Sequence, residues 1–309
     1  MPAPQPVLCC ASSWRPPYAV DLAATLGSLR RGSGDPAFRC DPGGACWLTG
    51  RTPRGAGTLR LVPASGGGVD AQAWGPGAEW MIDGVPDLLG ASDDLDGFVP
   101  RHRLVREARR RHPGVRVPRC GRVLDVLVPA VLEQKVTGVE ARRSWRELLG
   151  RFGAPAPGPA PAGMRVPPEA SSWRLLPSWE WHRAGVDGAR AGTIRAAAAV
   201  AHRLQEAVSM PPAVAANRLR AVPGIGVWTA AEVAQRALGD ADAVSVGDFH
   251  LPSFVGFALV GRAVDDDGML ELLAPYRPHR YRAIRLLELS GFRAPRFGPR
   301  YGPRDLRAC

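Results

Sequence analysis

The segment Leu219–Leu251 constrains this chain more than any other. It sets a tight glycine turn between two helical patterns and a lone carboxylate about twenty residues beyond it. It reads Leu219-Arg220-Ala221-Val222-Pro223-Gly224-Ile225-Gly226-Val227-Trp228-Thr229, then a helical run, then Val246-Gly247-Asp248-Phe249-His250-Leu251. Gly224 and Gly226 are expected to take backbone angles closed to other residues and to leave no side chain over their amides. Those amides, with the N-terminus of a helix opening near Val227, would face outward as an anion site. The aspartate then places a carboxylate beside the bound anion.

Leu219, Val222, Pro223, Gly224, Ile225, Gly226 and Asp248 match a pattern. It is Leu-x-x-hydrophobic-Pro-Gly-hydrophobic-Gly, followed by an Asp at the head of a later helix. In this the chain resembles the helix-hairpin-helix–GPD superfamily of DNA base-excision glycosylases. Trp228, directly after Pro-Gly-Ile-Gly-Val, is similar to the DNA-3-methyladenine glycosylase II branch. The resemblance runs from Leu124 to Gly291 and more loosely over the N-terminal part. It implies an α+β fold: a small N-terminal antiparallel β-sheet domain with one or two helices, then a mainly α-helical, two-lobed core. A hairpin alone also serves as a plain DNA grip in ligases, polymerases and repair scaffolds; the placed Asp is what points to chemistry.

The length of 309 residues allows two or three compact units, and 45% hydrophobic with 22% charged residues describes an ordinary globular protein. The net charge of +11 favours a polyanionic partner such as nucleic acid. Compositional bias is the plainer explanation, since nearly all the positive charge is Arg and Lys135 is the sole lysine. The six cysteines, Cys9, Cys10, Cys40, Cys46, Cys120 and Cys309, contain no Cys-x-x-Cys pair. Neither a zinc ribbon nor a disulfide framework is expected, and the thiols read as free in a reducing compartment. Relatives of the endonuclease III type carry four clustered cysteines after the catalytic region for an iron–sulfur cluster; only Cys309 lies there, so none is expected. The first residues lack a basic start and a long apolar core, and no apolar run reaches the roughly 18–20 residues that span a bilayer. A cytoplasmic, nucleoid-associated monomer without a membrane partner is the expectation.

Residues 1–11 are read as disordered, 12–98 as the sheet domain, 99–291 as the helical core with its hairpin at 212–238, and 292–309 as a basic tail. A helix is expected over Val20–Arg30 with Asp21 near its start, and strands over Ala37–Cys40, Cys46–Thr49, Thr58–Val62 and Val69–Trp74. Glu79–Leu89 reads as helix. Further helices are expected over Leu104–Arg111, Arg122–Lys135, Val139–Phe152, Thr193–Val208 and Pro212–Ala221. Thr193 is a candidate N-cap, and Pro129 predicts a kink or a late start. The proline-rich run Ala154–Gly163 should be an extended surface connection.

Cleaving an N-glycosidic bond develops positive charge on the sugar, which a carboxylate stabilises while orienting a water. Asp248 is the candidate for that role; an N-cap alone is the plainer reading, and the two are compatible. By resemblance, Trp228 and Phe249 line the base pocket and stack on a flipped base. Bifunctional members place a Lys at the position of Trp228, so excision here should proceed by water without strand β-elimination. Glu232 and Glu288 stand where family members carry pocket aromatics, and either attract a cationic alkylated base or are solvated helix residues. Backbone contacts to DNA fall to Val222, Gly224, Ile225, Gly226, Val227 and Thr229. The segment Gln134-Lys135-Val136-Thr137 resembles the minor-groove loop, with Lys135 where an apolar wedge is usual; a polar helix end is the alternative. The resemblance also implies a structural Na+ or K+ on the carbonyls of Arg220, Val222 and Ile225, and no cofactor for the chemistry.

The sequence therefore predicts a monofunctional DNA glycosylase acting on double-stranded DNA with damaged, alkylated bases such as 3-methyladenine. One rival is a noncatalytic helix-hairpin-helix DNA-binding protein; another is a glycosylase for a deaminated or oxidised base.

Overall fold

The computed structural model describes residues 10–295. In the sheet domain β5 alternates between buried and more exposed residues over Val69–Ala73, while the central strand β3 is buried along almost its whole length. Its elements are β1 (Cys10–Trp14), α1 (Leu22–Leu26), β2 (Phe38–Cys40), β3 (Cys46–Thr52), β4 (Gly55–Pro63), β5 (Val69–Trp74), α2 (Ala78–Asp83) and α3 (Val85–Leu88). The strands form one antiparallel sheet in the order β1-β5-β4-β3-β2. Cys46, Leu48, Leu59, Leu61, Ala71 and Ala73 face inward against Leu22, Leu26, Met81 and Val85. Trp47 and Trp74 lie stacked in a separate cluster with Met164, packed by Ala156 and Ala160. The proline-rich run lies at the surface, where its Ala156 and Ala160 also pack on the tryptophan pair.

The helical part follows as α4 (Arg103–Arg111), α5 (Val123–Leu132), α6 (Gly138–Phe152), the short ribbon β6 (Ala154–Pro155) and β7 (Arg165–Val166), α7 (Ala170–Leu175), α8 (Ser178–Arg183), α9 (Gly188–Ala199) and α10 (Ala201–Gln205). It ends with α11 (Pro212–Arg220), α12 (Val227–Val233, continued by a π-turn to Leu238), α13 (Leu251–Val260), α14 (Asp266–Leu273) and α15 (Arg280–Leu289). Two apolar cores divide these helices. The sheet, α5, α6, α9 and the α11–α12 hairpin share the first; α4, α13, α14 and α15 enclose the second. The buried ion pair of Arg282 with Asp93, 2.5 Å, ties the acidic loop after α3 to the second lobe.

Several expectations need correction. Cys10 and Ala11, read as disordered, pair with Ala73 and Gln72 in β1–β5. Residues 1–9 and the tail from 296 onward lie outside the described residues. Cys40 and Cys46, read as free thiols, form a disulfide: the turn between them closes with Asp41 N donating to the Ala45 carbonyl, which sets the two directly opposite across β2–β3. Cys120 keeps a free thiol, and burial pushes it up. Glu79–Leu89 is two short helices broken at Gly84.

Helix α9 starts at Gly188, not Thr193, with Asp187 as its cap accepting from Arg190 N at 2.9 Å. Its glycine-rich first turn is held by tertiary contacts, since the buried Arg190 donates to the carbonyls of Leu132 and Gly185. Thr193 is an interior, buried residue bonded to the Ala189 carbonyl. α5 runs through Pro129 without a late start, because every residue from Val126 to Leu132 is buried and packing outweighs the missing amide.

Candidate active site

The hairpin turn between α11 and α12 is closed by Ile225 N donating to the Val222 carbonyl at 3.1 Å. Gly224 has φ +86°, and a Cβ there would stand 1.9 Å from Thr193 Oγ1. Glycine is therefore demanded twice, by backbone angle and by contact with α9. Gly226 differs from expectation, with an ordinary φ of −89°. Its lack of a side chain matters outwardly, since nothing lies within 4 Å of where a Cβ would be. No described backbone carbonyl accepts from the amides of Gly224, Gly226 or Val227. Three donors on exposed residues thus remain without an acceptor at the head of α12, an arrangement suited to a phosphate oxygen. Val222 and Ile225 are buried, whereas Val227 is half exposed.

Asp248 sits on the turn entering α13, which begins at Leu251. Its Oδ1 accepts from the amides of His250 (2.8 Å) and Leu251 (2.9 Å), so it caps the helix. Its Oδ2 accepts from Trp228 Nε1 at 3.0 Å. That bond joins the two lobes: α12 belongs to the first core, while Val244 and Val246 root the Asp248 loop in the second. Gly247, at φ +86°, donates its amide to both oxygens of Asp266 at 3.1 Å, fixing the loop from the other side.

Behind the carboxylate lies a buried network that sequence reasoning missed. Ser245 Oγ donates to Glu232 Oε1 (2.7 Å) and accepts from Gln235 Nε2 (2.9 Å). Glu232 Oε2 pairs with Arg236 at 2.8 Å, and Arg236 Nε reaches the Ser28 carbonyl of the sheet domain. Burial alone would pull the Arg236 guanidinium down; Glu232 first, then Tyr281, Glu133 and Glu288, outweigh that and raise it. Glu232 is thus engaged at both oxygens, and a base could use it only by displacing Ser245 or Arg236. It braces the Asp248 loop against α12. The i, i+3, i+4 run Glu232, Gln235, Arg236 was a legible hint, but nothing local marked Ser245 as their partner.

The remaining candidates are placed as follows. Trp228 is half-buried beside Asp248, and Phe249 is 77% exposed with its ring edge-on to His250. Glu288 is exposed on α15 and pairs with Arg285 at 2.7 Å. Gln134 turns inward, donating to the Gly224 carbonyl (3.0 Å) and to Thr229 Oγ1 (2.8 Å). Thr229 is buried and serves that anchor. Thr137 forms a capping box with Glu140 at the start of α6. Lys135 is exposed between them, the one non-glycine residue with positive φ (+55°) among the described residues.

No protein-family profile matches the chain. Over 173 residues, 55% of its length, the chain is 30% identical to a Mycobacterium tuberculosis protein. That relative is named "Probable bifunctional transcriptional activator/DNA repair enzyme AlkA", and the match spans only about a third (32%) of it. Among solved structures, a 3-methyladenine DNA-glycosylase from Archaeoglobus fulgidus superposes with TM-score 0.72 at 17% identity, covering 91% of this chain and 99% of that one. The apo 8-oxoguanine glycosylase/lyase of Clostridium acetobutylicum gives TM-score 0.70 at 11% identity, covering 93% and 99%. The same enzyme with double-stranded DNA gives 0.66 at 10%, covering 90% and 97%. The chain has the fold of the helix-hairpin-helix DNA glycosylases. Within that class it resembles the alkylbase branch, through Trp228 after the hairpin and the partial AlkA match.

Proposed function

We propose that this protein is a monofunctional DNA glycosylase of base excision repair that hydrolyses the N-glycosidic bond of a flipped, alkylated base such as 3-methyladenine. The observation that carries the reading is the 3.0 Å bond from Trp228 to Asp248, which sets a carboxylate against the aromatic ring that directly follows the hairpin amides. In this reading the amides of Gly224, Gly226 and Val227 hold a backbone phosphate of duplex DNA. The extruded base stacks on Trp228 and Phe249. The C1′–N bond breaks with its electron pair leaving on the base, and the Asp248 carboxylate faces the positive charge that develops on the sugar. A water oxygen bonds C1′, and its proton passes to the carboxylate. A cationic alkylated purine leaves as a neutral base and needs no general acid, which suits a site with one engaged carboxylate.

Absence of lyase chemistry is part of the proposal. The position next to the hairpin holds an indole, and the sole lysine, Lys135, sits on the loop beyond Gln134. No cofactor takes part. A structural Na+ or K+ fits the hairpin carbonyls: those of Arg220 and Ile225 accept no bond from described residues, and that of Val222 is shared only with the Ile225 amide. Action as a monomer on chromosomal DNA in the cytoplasm completes the reading; no helix among the described residues is long and apolar enough to cross a membrane.

The decisive experiment is incubation with alkylated genomic DNA and identification of the released bases, with borohydride trapping in parallel. Release of methylated purines without a covalent protein–DNA adduct is expected. Release of only uracil, hypoxanthine or oxidised bases would move the substrate class, a trapped lysine adduct would overturn the monofunctional assignment, and no release at all would leave a DNA-binding protein.

A further inference from the structure

The loop Arg30-Arg31-Gly32-Ser33-Gly34 of the sheet domain lies against Glu133 and the first half of α6, through three contacts. Arg31 pairs with Glu133 at 3.2 Å. The Arg142 side chain crosses Gly32 so closely that a Cβ there would stand 2.2 Å from its Cδ, and its Nη1 lies near Gly138. Arg146 lies over Gly34 in the same way, 3.0 Å from a Cβ position. Gln134 meanwhile ties the 133–137 loop to the hairpin. Hairpin, Lys135 loop and sheet-domain loop are therefore three consecutive parts of one surface.

The charges of this surface are unbalanced. The carboxylates of segments 30–35 and 133–146 are Asp35, Glu133 and Glu140, and each is committed elsewhere. Asp35 accepts from the amides of Arg31 and Ala37 and from Trp145 Nε1. Glu133 takes Arg31, and Glu140 takes the Thr137 cap. Among the described residues Arg30, Lys135, Arg142 and Arg146 have no acidic partner, and Arg30 donates to the Gly32 carbonyl. Many arginines elsewhere in the chain do have one, as in the pairs Arg190–Asp187, Arg218–Glu206 and Arg280–Asp242. Glycines that let guanidinium stems lie flat, beside carboxylates turned inward, make a cationic track.

We infer that the 30–34 loop of the sheet domain, with Arg142 and Arg146, is a second phosphate-binding surface for duplex DNA, on the far side of the Lys135 loop from the hairpin. This rests on the reading that the hairpin grips DNA. A duplex held by the hairpin and entered by the Lys135 loop continues across Arg30 and Arg142, which neutralise phosphates without reading bases.

The test measures affinity for an undamaged duplex against salt, for wild type, the double variant Arg30→Gln/Arg142→Gln, and the control Arg54→Gln/Arg60→Gln in the same domain. Each lost phosphate contact removes about 0.9 from the slope of log affinity against log salt. The double variant should therefore lose about 1.8, and between 50 and 200 mM salt its affinity should fall roughly tenfold less than that of wild type. The control should keep the wild-type slope. A double variant with the wild-type slope, or a control that loses as much, overturns the inference while leaving the hairpin reading intact. Wild type without salt-dependent duplex binding overturns both. Thermal melts accompany the series; if Arg142→Gln unfolds the protein, Arg30→Gln alone should still lower the slope by about 0.9.

Discussion

Asp248→Asn is the perturbation whose outcome the geometry specifies most closely. The carboxylate accepts three bonds, two on Oδ1 from the amides of His250 and Leu251 and one on Oδ2 from Trp228 Nε1. An asparagine must give its oxygen to the two amides to keep the helix cap, which turns its NH2 toward the indole N–H at about the same 3.0 Å. One charge-assisted bond becomes a donor–donor conflict, costing about 1.5–3 kcal/mol of stability. The effect on rate is larger. A unit charge about 4 Å from the developing cation, at an effective dielectric of about 20, contributes about 4 kcal/mol. Excision should therefore slow by about a thousandfold. Single-turnover release of methylated base from a defined duplex measures the rate, anisotropy measures binding, and circular dichroism follows the melt. Duplex affinity should stay within about twofold, because phosphate neutralisation supplies most of it. If the asparagine variant excises within tenfold of wild type while folded, the carboxylate does not face the reacting sugar and the catalytic reading fails.

Three further outcomes follow from other parts of the site. Gly224→Ala combines a positive φ with a 1.9 Å approach to Thr193 Oγ1, and should lose about 2–4 kcal/mol of stability; Thr193→Ala in the same chain should recover part of it, and no recovery would remove the steric argument. Ser245→Ala leaves the buried Glu232 Oε1 without its 2.7 Å donor, so a loss of about 1–3 kcal/mol is expected, together with a lower excision rate at unchanged duplex affinity. A rate equal to wild type would show that the brace does not position Asp248. Burial pushes the Asp125 carboxyl up to about 6, against the pull of Arg122 and of the Arg51 amide. The folded state therefore keeps a proton that the unfolded chain releases near pH 3.9, and about 3 kcal/mol of stability present below that pH is lost as pH rises through 6. Melts from pH 4 to 8 should show this fall in wild type and not in Asp125→Asn; parallel profiles would refute it.

The legible parts of this protein were those written in short periods. Four strands of the sheet, α6 and the hairpin declare themselves through alternation, capping residues and a glycine turn, because their own residues supply the signal. The start of α9 was not legible: Gly188 to Gly192 has poor helix propensity, and the distant carbonyl of Leu132 joins Asp187 and the Gly185 carbonyl in holding Arg190 in place. The disulfide was hidden for a similar reason, since only the hairpin register brings Cys40 opposite Cys46. Glu232 is the sharpest case at the site. Its number suggested a pocket acid, but its partners Ser245 and Arg236 make it a brace.

By itself the sequence determined the turn, the carboxylate and the spacing between them, because a glycine hairpin and a helix cap are local devices. Tertiary structure alone decided that the indole of one lobe bonds the carboxylate of the other, that Gln134 is spent anchoring the hairpin, and that four cations near it find no acidic partner among the described residues. Those outcomes depend on which surfaces the two cores bring together. Burial drives that choice and leaves polar groups to find partners wherever the packing sets them.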